Sequence, residues 1–384
     1  LQQPVLSEMI FRNDGTRIAG IKFNEEDIQI LQADWKSYVQ KIPKFPKKRY
    51  SGRGIVYTAG GIGYITCAWV SINLLRQHGC LLPIELWYLG NEVSDEVIQY
   101  FKFLNVDFRN FQDIGKIEMG GYSLKPLAIL HSRFKEVLFL DADNNCVKDP
   151  TDLFEFEKYK EIGTVFWPDY WRTSKSNPIW KIIGTTAYHI PEQESGQLLV
   201  NKEKCWKELN LCLYFNKLGK YYYRILLGDK DTFKFSWHAL KTEFYMIKHF
   251  PGTCGKLSNG LFYGNTMVQF GPNADIYFLH RNLLKWDITH SQEFIWEKIK
   301  FFAPTASKKM VVHSVTDDLQ YRIDFEGNVE EKYFKDVFND LEHKCHLFLD
   351  AWRYSSVYQN FLEYAHFAKN RYRSNRRFDS KIHK

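Results

Sequence analysis

From residue 54 to about residue 145, short apolar runs alternate with stretches whose apolar positions recur at helical spacing. Gly54-Ile55-Val56-Tyr57-Thr58 predicts a strand, which runs into the glycine turn Ala59-Gly60-Gly61-Ile62-Gly63-Tyr64 and a helix through Arg76. Ile84 to Leu89 predicts a second strand, and Val93 to Leu104 a helix started by Ser94-Asp95-Glu96. Ser123 to Leu130 enters a third helix that feeds Val137-Leu138-Phe139-Leu140, a run with the length and composition of a buried strand. That run stops abruptly at Asp141 and Asp143. Strand and helix in alternation predict a mostly parallel α/β sheet, with both carboxylates at the edge where such sheets present their ligand crevice.

Beyond this block the pattern is looser. Ile162 to Trp167 predicts a strand ending in Pro168-Asp169-Tyr170-Trp171-Arg172, and Ile190 to Val200 brings Glu194, a small turn and Gln197 to the start of another. A helix over Lys202 to Leu218 follows, then a glycine turn at Gly228 and a helix with Asp229 and Asp231 in its first turn. Residues 258 to 271 carry hairpin-like glycines, and Ile276 to Leu279 is a strand ending in His280-Arg281-Asn282-Leu283-Leu284-Lys285. Leu319 to Phe325 and Val329 to Phe334 flank Glu326-Gly327-Asn328 as a hairpin, and a long aromatic helix runs from about Leu341 to Phe367. Ahead of the sheet, residues 1–50 have a polar start, a helical stretch over Glu25 to Gln40 and the basic, Pro-containing Lys41-Ile42-Pro43-Lys44-Phe45-Pro46-Lys47-Lys48-Arg49. They fit a stem or surface arm better than a core element. The expected division is a stem-like arm over 1–50 and a catalytic domain over 51–300, with a nucleotide-binding half 51–145 and an acceptor half 146–300. Residues 301–384 form a C-terminal hairpin and helix with a basic tail.

Composition changes this picture in a few places. Aromatics make up 17% of the 384 residues, more than a core requires, and flat rings at the mouth of a site are what sugar rings stack against. The formal charge of +7 is spread along the chain, apart from the cluster Arg371-Tyr372-Arg373-Ser374-Asn375-Arg376-Arg377. With no nucleic-acid module beside it, that cluster reads as a solvated terminus, and no nucleic-acid partner is expected. The seven cysteines show no C-x-x-C pair and no zinc spacing, so disulfides are possible but not demanded. No apolar run is long enough to span a bilayer, and the chain begins at Leu1 without Met, so a soluble fragment or processed form is expected, with any anchor upstream. There is no N-x-[ST] sequon, which weighs against a secretory assignment.

The candidate chemistry gathers at element ends. Asp-x-Asp leaving a strand offers oxygen ligands to a hard divalent cation that can hold a diphosphate, although two acids after an apolar run also read as a solvated turn. The glycine turn lets a ligand approach the backbone ahead of a helix N-terminus. Its spacing is not G-x-G-x-x-G, which disfavours a dinucleotide and leaves a mononucleotide held by Tyr57 and the backbone of Thr58 to Gly61. Lys125 points a cation toward the same crevice. His280 at a strand end suits a metal bound to diphosphate, with Asn282 and Lys285 on phosphate oxygens. Asp229 and Asp231 suit the helix dipole as well as chemistry, and both readings stay open.

The ordered set Tyr57-Thr58-Ala59-Gly60-Gly61, Leu86-Trp87-Tyr88, Lys125-Pro126, Leu140-Asp141-Ala142-Asp143-Asn144, Phe166-Trp167-Pro168-Asp169-Tyr170-Trp171, Glu194-Ser195-Gly196-Gln197, Gly228-Asp229-Lys230-Asp231-Thr232-Phe233 and Leu279-His280-Arg281-Asn282 resembles the fungal-type α-mannosyltransferases of glycosyltransferase family 71. The resemblance covers roughly residues 50 to 290. It implies a GT-A fold: an α/β, Rossmann-like, mostly parallel sheet with flanking helices, here with a C-terminal helical and hairpin extension. It further implies a GDP-mannose donor, Mn²⁺, a glycan acceptor, retention of configuration and a type II Golgi membrane setting. Carried onto this chain, Asp141, Asp143 and His280 are the metal ligands. Tyr57, Thr58, Ala59, Gly60, Gly61, Lys125, Asp141, Ala142, Asn282 and Lys285 are the donor contacts. Glu194, Gln197, Asp229 and Asp231 stand where donor-sugar and acceptor contacts fall. The short stem, absent anchor and lack of sequons depart from the family and bear on the location more than on the chemistry. A UDP-hexose-dependent transferase on the same scaffold and a catalytically silent glycan-binding protein are the alternatives.

Overall fold

In the computed structural model, which describes residues 9–315 and 320–365, the apolar runs of the sequence assemble into two sheets. The described residues open with β1 (Met9–Phe11), β2 (Thr16–Ala19) and α1 (Glu25–Gln40). The chain then alternates through β3 (Arg53–Thr58), α2 (Gly61–Gln77), β4 (Ile84–Tyr88), α3 (Asp95–Tyr100), β5 (Val106–Asn110), α4 (Lys125–His131) and β6 (Glu136–Asp141). After β7 (Asn144–Cys146) come α5 (Glu157–Ile162), β8 (Thr164–Thr173), α6 (Ile179–Ile183), β9 (Pro191–Asn201), α7 (Trp206–Lys217), α8 (Gly219–Tyr222), α9 (Lys230–Leu240) and β10 (Tyr245–Met246). The last part holds β11 (Gly252–Ser258), β12 (Leu261–Phe270), β13 (Ile276–His280), β14 (Lys298–Phe302), β15 (Lys309–Val315), β16 (Gln320–Glu326), β17 (Val329–Tyr333), α10 (Phe334–Phe338) and α11 (Leu341–Arg353).

The first sheet has the order β1-β2-β8-β9-β6-β3-β4-β5, with β10 beside β8. Its β6-β3-β4-β5 block is parallel throughout, as the alternation predicts, and β9 runs antiparallel between β6 and β8. Both faces are covered: Ile55, Leu138 and Leu140 pack with Ile65 and Trp69 of α2, while Val56 and Phe139 pack with Leu127, Leu209 and Trp237 of α4, α7 and α9. Burying each such side chain contributes about 1.5–3 kcal/mol, which is why these strands read as unbroken apolar runs. The second sheet is antiparallel, in the order β15-β16-β12-β11-β14-β17, with β13 on β12 and β7 on β13. β7 therefore carries the chain from the Asp141–Asp143 turn straight into the second sheet, where Asn144 lies opposite His280.

Several expectations give way. Residues 9–40 are not an arm outside the core: β2 pairs with β8, and α1 buries Ile28, Leu31 and Trp35 against Ile179, Ile182 and Phe215. The helical spacing of those three side chains was an apolar stripe needing a partner, and Trp35 Nε1 also donates to Ile182 O at 2.8 Å. The predicted Val93–Leu104 helix is shorter, and β5 follows it as a sheet-edge strand with only Val106 buried. β8 passes through Pro168 without ending, because its register with β9 shifts there and the missing N–H falls at the irregularity. β9 likewise runs straight through Ser195-Gly196, where a turn was expected. The proposed boundary at residue 300 falls inside β14, which joins β11 to β17, so the C-terminal segment completes a sheet rather than extending a domain. α11 ends at Arg353, short of Phe367, and Leu319, Phe367 and the Arg371–Arg377 cluster lie outside the described residues. All seven cysteines are buried and free. Among the described residues no helix is long and apolar enough to cross a membrane.

Candidate functional site

β6 delivers Asp141 to its C-terminal edge, and the next two residues turn Asp143 inward before β7 begins. β13, held against β7, ends in His280, whose Nε2 lies 3.1 Å from Asp143 Oδ1 and 3.9 Å from Asp141 Oδ2. One ligand atom from each of the three lies within 4.8 Å of the others, so all can face a single ion. Two carboxylates and an imidazole form a mixed shell that suits Mn²⁺ or a similar divalent ion better than an all-oxygen magnesium cage. The other ring nitrogen, His280 Nδ1, is 3.4 Å from Glu194 Oε1, a partner that orients the imidazole.

The close packing of that imidazole explains the glycine of Glu194-Ser195-Gly196-Gln197. A Cβ on Gly196 would fall 2.4 Å from His280 Nδ1, so only glycine lets the ring lie against β9. Glu194 Oε1 accepts the Gly196 amide at 2.8 Å, and Asn144 Nδ2 donates to Gly196 O at 2.7 Å and to Gln197 Oε1 at 2.6 Å. Asn144 is itself fixed from behind, its carbonyl accepting Ser71 Oγ, and Ser71 Oγ lies 3.0 Å from Tyr57 Oη. Tyr57 is thus wholly buried with its hydroxyl engaged, which corrects the expectation that its side chain meets a nucleotide. Gln197 is also wholly buried and turns its carbonyl oxygen to Asn144. The glycine turn is tied down as well: Ala59 N donates to Trp87 O and Gly61 N to Glu92 O, both at 3.0 Å.

Two ammoniums complete the group. Lys125 Nζ donates to Asp141 Oδ2 at 2.8 Å and Ser195 Oγ at 3.1 Å and lies 3.4 Å from Asp229 Oδ2. Burial works against its charge, but Asp141 and Asp229 outweigh burial and hold it above the usual lysine range. Lys285 Nζ pairs with Asp143. Asp229 stands at the N-cap position of α9 yet makes no capping hydrogen bond; its carboxylate accepts Ser195 Oγ at 3.1 Å instead, which separates it from the capping reading. Burial tends to raise the Glu194 carboxyl, and His280 and the nearby lysines overcome it, holding it down at about 2. Ala142 is buried in the acidic turn, and Asn282 sits half-buried between His280 and Lys285. At the rim, Tyr64 and Tyr122 are exposed, their hydroxyls 3.4 Å apart, while Trp87, Trp167, Trp237, Trp286 and Trp352 belong to the core.

Asp231, expected beside Asp229, lies elsewhere. Its carboxylate is wholly buried against Lys234 at 3.2 Å, Lys230 at 3.3 Å and Arg17 at 3.6 Å, and it accepts the Gln193 amide at 3.1 Å. Lys230 also pairs with Asp169 at 2.6 Å and Glu192 at 2.5 Å, and Arg17 with Glu192 at 2.6 Å. Asp231 therefore belongs to a sealed ionic network, not to the group at the sheet edge. Sequence reasoning missed Arg17, Glu192, Lys230 and Lys234 as members of that network, and Ser195 as the link between Lys125 and Asp229. The alternation of Glu192 and Glu194 with uncharged residues was the available signal; nothing local marked Arg17.

Comparison with known proteins bears on this arrangement. Residues 52–193 and 185–270 match a family model described as a mannosyltransferase, Mannosyl_trans3. Alpha-1,2-mannosyltransferase MNN21 of Candida albicans is 30% identical over 324 residues, covering 67% of this chain and 49% of that protein. Alpha-1,2-mannosyltransferase MNN2 of Saccharomyces cerevisiae is 29% identical over 304 residues, covering 65% and 51%. The chain spans about half the length of these curated relatives. Among solved structures, the mannosyltransferase Ktr4p of S. cerevisiae superposes with a TM-score of 0.32 at 13% identity, covering 59% of this chain and 77% of that one.

Proposed function

The chain belongs to the mannosyltransferase family, and from that membership and the charge of its site we propose that it transfers mannose from GDP-mannose to a glycan hydroxyl as an α-linkage, with retention and with Mn²⁺. The observation that carries the reading is an imbalance. Four carboxylates (Asp141, Asp143, Glu194 and Asp229) face two ammoniums and an imidazole, an excess of negative charge that one divalent cation offsets.

When bound, the cation supplies Lewis-acid neutralisation of the departing diphosphate. The chain's own residues do the rest. Asp141, Asp143 and His280 hold it, and Lys125 and Lys285 add positive charge where the leaving phosphate develops negative charge. Glu194 fixes the imidazole, and Asp229 and Ser195 fix Lys125. Both Glu194 and Asp229 are committed to these bonds, which favours a same-face route over double displacement by either carboxylate. In that route the acceptor hydroxyl attacks on the face the diphosphate leaves, and its proton passes to the departing phosphate oxygen. The family resemblance supports a Golgi setting for this reaction.

Thermal shift with Mn²⁺ and GDP-mannose, against the UDP-hexoses, tests the donor, since only the true one stabilises the fold strongly. Release of mannose from GDP-mannose and linkage analysis of the product test the reaction. Stabilisation by a UDP-hexose alone overturns the donor; a chain that binds glycans but never cleaves a donor overturns the enzyme.

A further inference from the structure

We propose that α11 is a working part of the donor site, with Arg353 and Glu342 as positioning residues for the turn that carries Lys285. This rests on the reading of the site given above. Asp141, Asp143 and His280 are held by strand pairing, but Lys285 sits five residues past the end of β13 in an irregular segment that no sheet fixes. A lysine there grips a phosphate only if its backbone is held from elsewhere.

The hold comes from the C-terminal helix. Arg353 donates to three carbonyls directly beyond Lys285: Trp286 at 3.1 Å, Asp287 at 2.9 Å and Thr289 at 2.6 Å. The turn is braced from within by Arg281, wholly buried, whose guanidinium lies 3.6 Å from the Trp286 ring and donates to Leu284 O at 2.9 Å and Thr289 Oγ1 at 2.6 Å. Glu342 of α11 stands 3.6 Å from Arg281 and accepts the Ile295 and Trp296 amides at 2.8 and 3.0 Å. α11 is in turn anchored to α2, the helix that opens at the glycine turn: Trp352 stacks on Trp69, with centroids 5.5 Å apart, and donates to Thr66 Oγ1 at 2.9 Å. One helix thus grips both the turn bearing Lys285 and α2, against which that turn packs through Tyr64 and Cys67. The family match ends at residue 270, so the Lys285 grip lies in a part of the chain that the match does not reach.

The test uses the full chain and calorimetric titration with Mn²⁺ alone, then with GDP and with UDP in the presence of Mn²⁺, following whichever nucleotide the wild type binds more tightly. Arg353→Ala is expected to weaken nucleotide binding by about tenfold while leaving Mn²⁺ binding alone unchanged, because strands hold the cation ligands. Arg353→Lys should recover part of the loss. Lys285→Met should weaken the nucleotide at least as much, and adding Arg353→Ala to it should cost little more, since both act through one contact. Unchanged nucleotide binding in Arg353→Ala overturns the proposal. So do equal losses of Mn²⁺ and nucleotide with a collapsed melting temperature, or additive losses in the double variant. A wild type that binds neither Mn²⁺ nor nucleotide overturns the reading of the site itself, a different result from an intact wild type with an indifferent Arg353.

Discussion

β9 carries members of two groups of buried charges that are alike in composition and unlike in balance. At one end of the strand, Asp169, Glu192 and Asp231 meet Arg17, Lys230 and Lys234, three acids against three cations, with every side chain 11% exposed or less. Further along, Glu194 belongs to the group with Asp141, Asp143 and Asp229, where acids outnumber ammoniums and Asp141 reaches solvent at 18% exposure. Each buried ion costs several kcal/mol unless it is paired, so a folded chain has reason to balance its charges. The sealed network does so and needs nothing further. An uncompensated excess beside an opening is a structural cost whose return is ligand binding, which is how the two groups are told apart without reference to any relative.

The sharpest way to break the comparison is to remove one acid from each group. Asp143→Asn should lower transfer on the order of a thousandfold or more, because a cation ligand contributes several kcal/mol of charge stabilisation. Its melting temperature should hold or rise, since the variant relieves an excess of like charge. A variant that turns over normally, measured as mannose released from GDP-mannose with Mn²⁺, removes the cation from the account. Arg17→Met should do the reverse. Removing one of the three cations leaves the buried network one positive charge short, with Lys230 and Lys234 still on Glu192 and Asp231, and should cost about 3–5 kcal/mol in urea unfolding and leave the Mn²⁺ affinity of the surviving fold unchanged. If the two variants exchanged phenotypes, the division into structural and ligand-binding clusters would be reversed.

The pH dependence of stability sharpens the contrast. Burial, ahead of the opposing pull of Lys230, pushes the Asp169 carboxyl up to about 6. Unfolded, the group titrates near its ordinary value of 3.8, so between the two the folded chain holds a proton that the unfolded chain has lost. The contribution is fully present below pH 4 and disappears as the pH rises through 6. A shift of about two units corresponds to roughly 2–3 kcal/mol. The stability of the wild type relative to Asp169→Asn should therefore fall by that order between pH 4 and 7.5 in urea titrations. A difference that stays flat shows the network keeping Asp169 ionised throughout.

Local pattern was enough for the parts of this site that depend on short-range rules. An apolar run ending in Asp-x-Asp reads as a strand delivering acids to an edge, and a strand ending in His280 delivers an imidazole the same way. What pattern could not supply is the pairing that joins them. Asn144 and His280 are far apart in sequence and meet through three residues of β7, too short a strand to show a period. Asp229 and Asp231 were indistinguishable by sequence, both in the first turn of one helix, and separate only because the helix turns one toward Lys125 and the other toward Arg17. Arg17 itself was invisible, because a polar start followed by a lone helix gives no hint that a strand pairing carries its guanidinium into the core.

Gly196 tests the finest part of the comparison, the fit of the imidazole. The sequence suggests a turn at Ser195-Gly196, since a serine and a glycine between polar residues is ordinary turn chemistry. β9 instead runs straight through, and its glycine is explained by space: a methyl group would fall 2.4 Å from His280 Nδ1 and 3.1 Å from Glu194 Oε1. Gly196→Ala must therefore push the ring off β9, breaking its contact with Glu194 and swinging Nε2 away from Asp143. Backbone strain is no part of the effect, because the residue lies in regular strand. Cation affinity should fall roughly tenfold, the lower end of what losing an orienting partner costs a metal-bound histidine, with unfolding free energy little changed. The same substitution at Gly264, also in a strand but within the second sheet, where a Cβ would strike Thr253 Oγ1 and the Ile323 carbonyl, should instead cost stability and spare the cation. An equal effect on Mn²⁺ binding from both would mean that the imbalance of charge, and not the placement of the imidazole, is all the site requires.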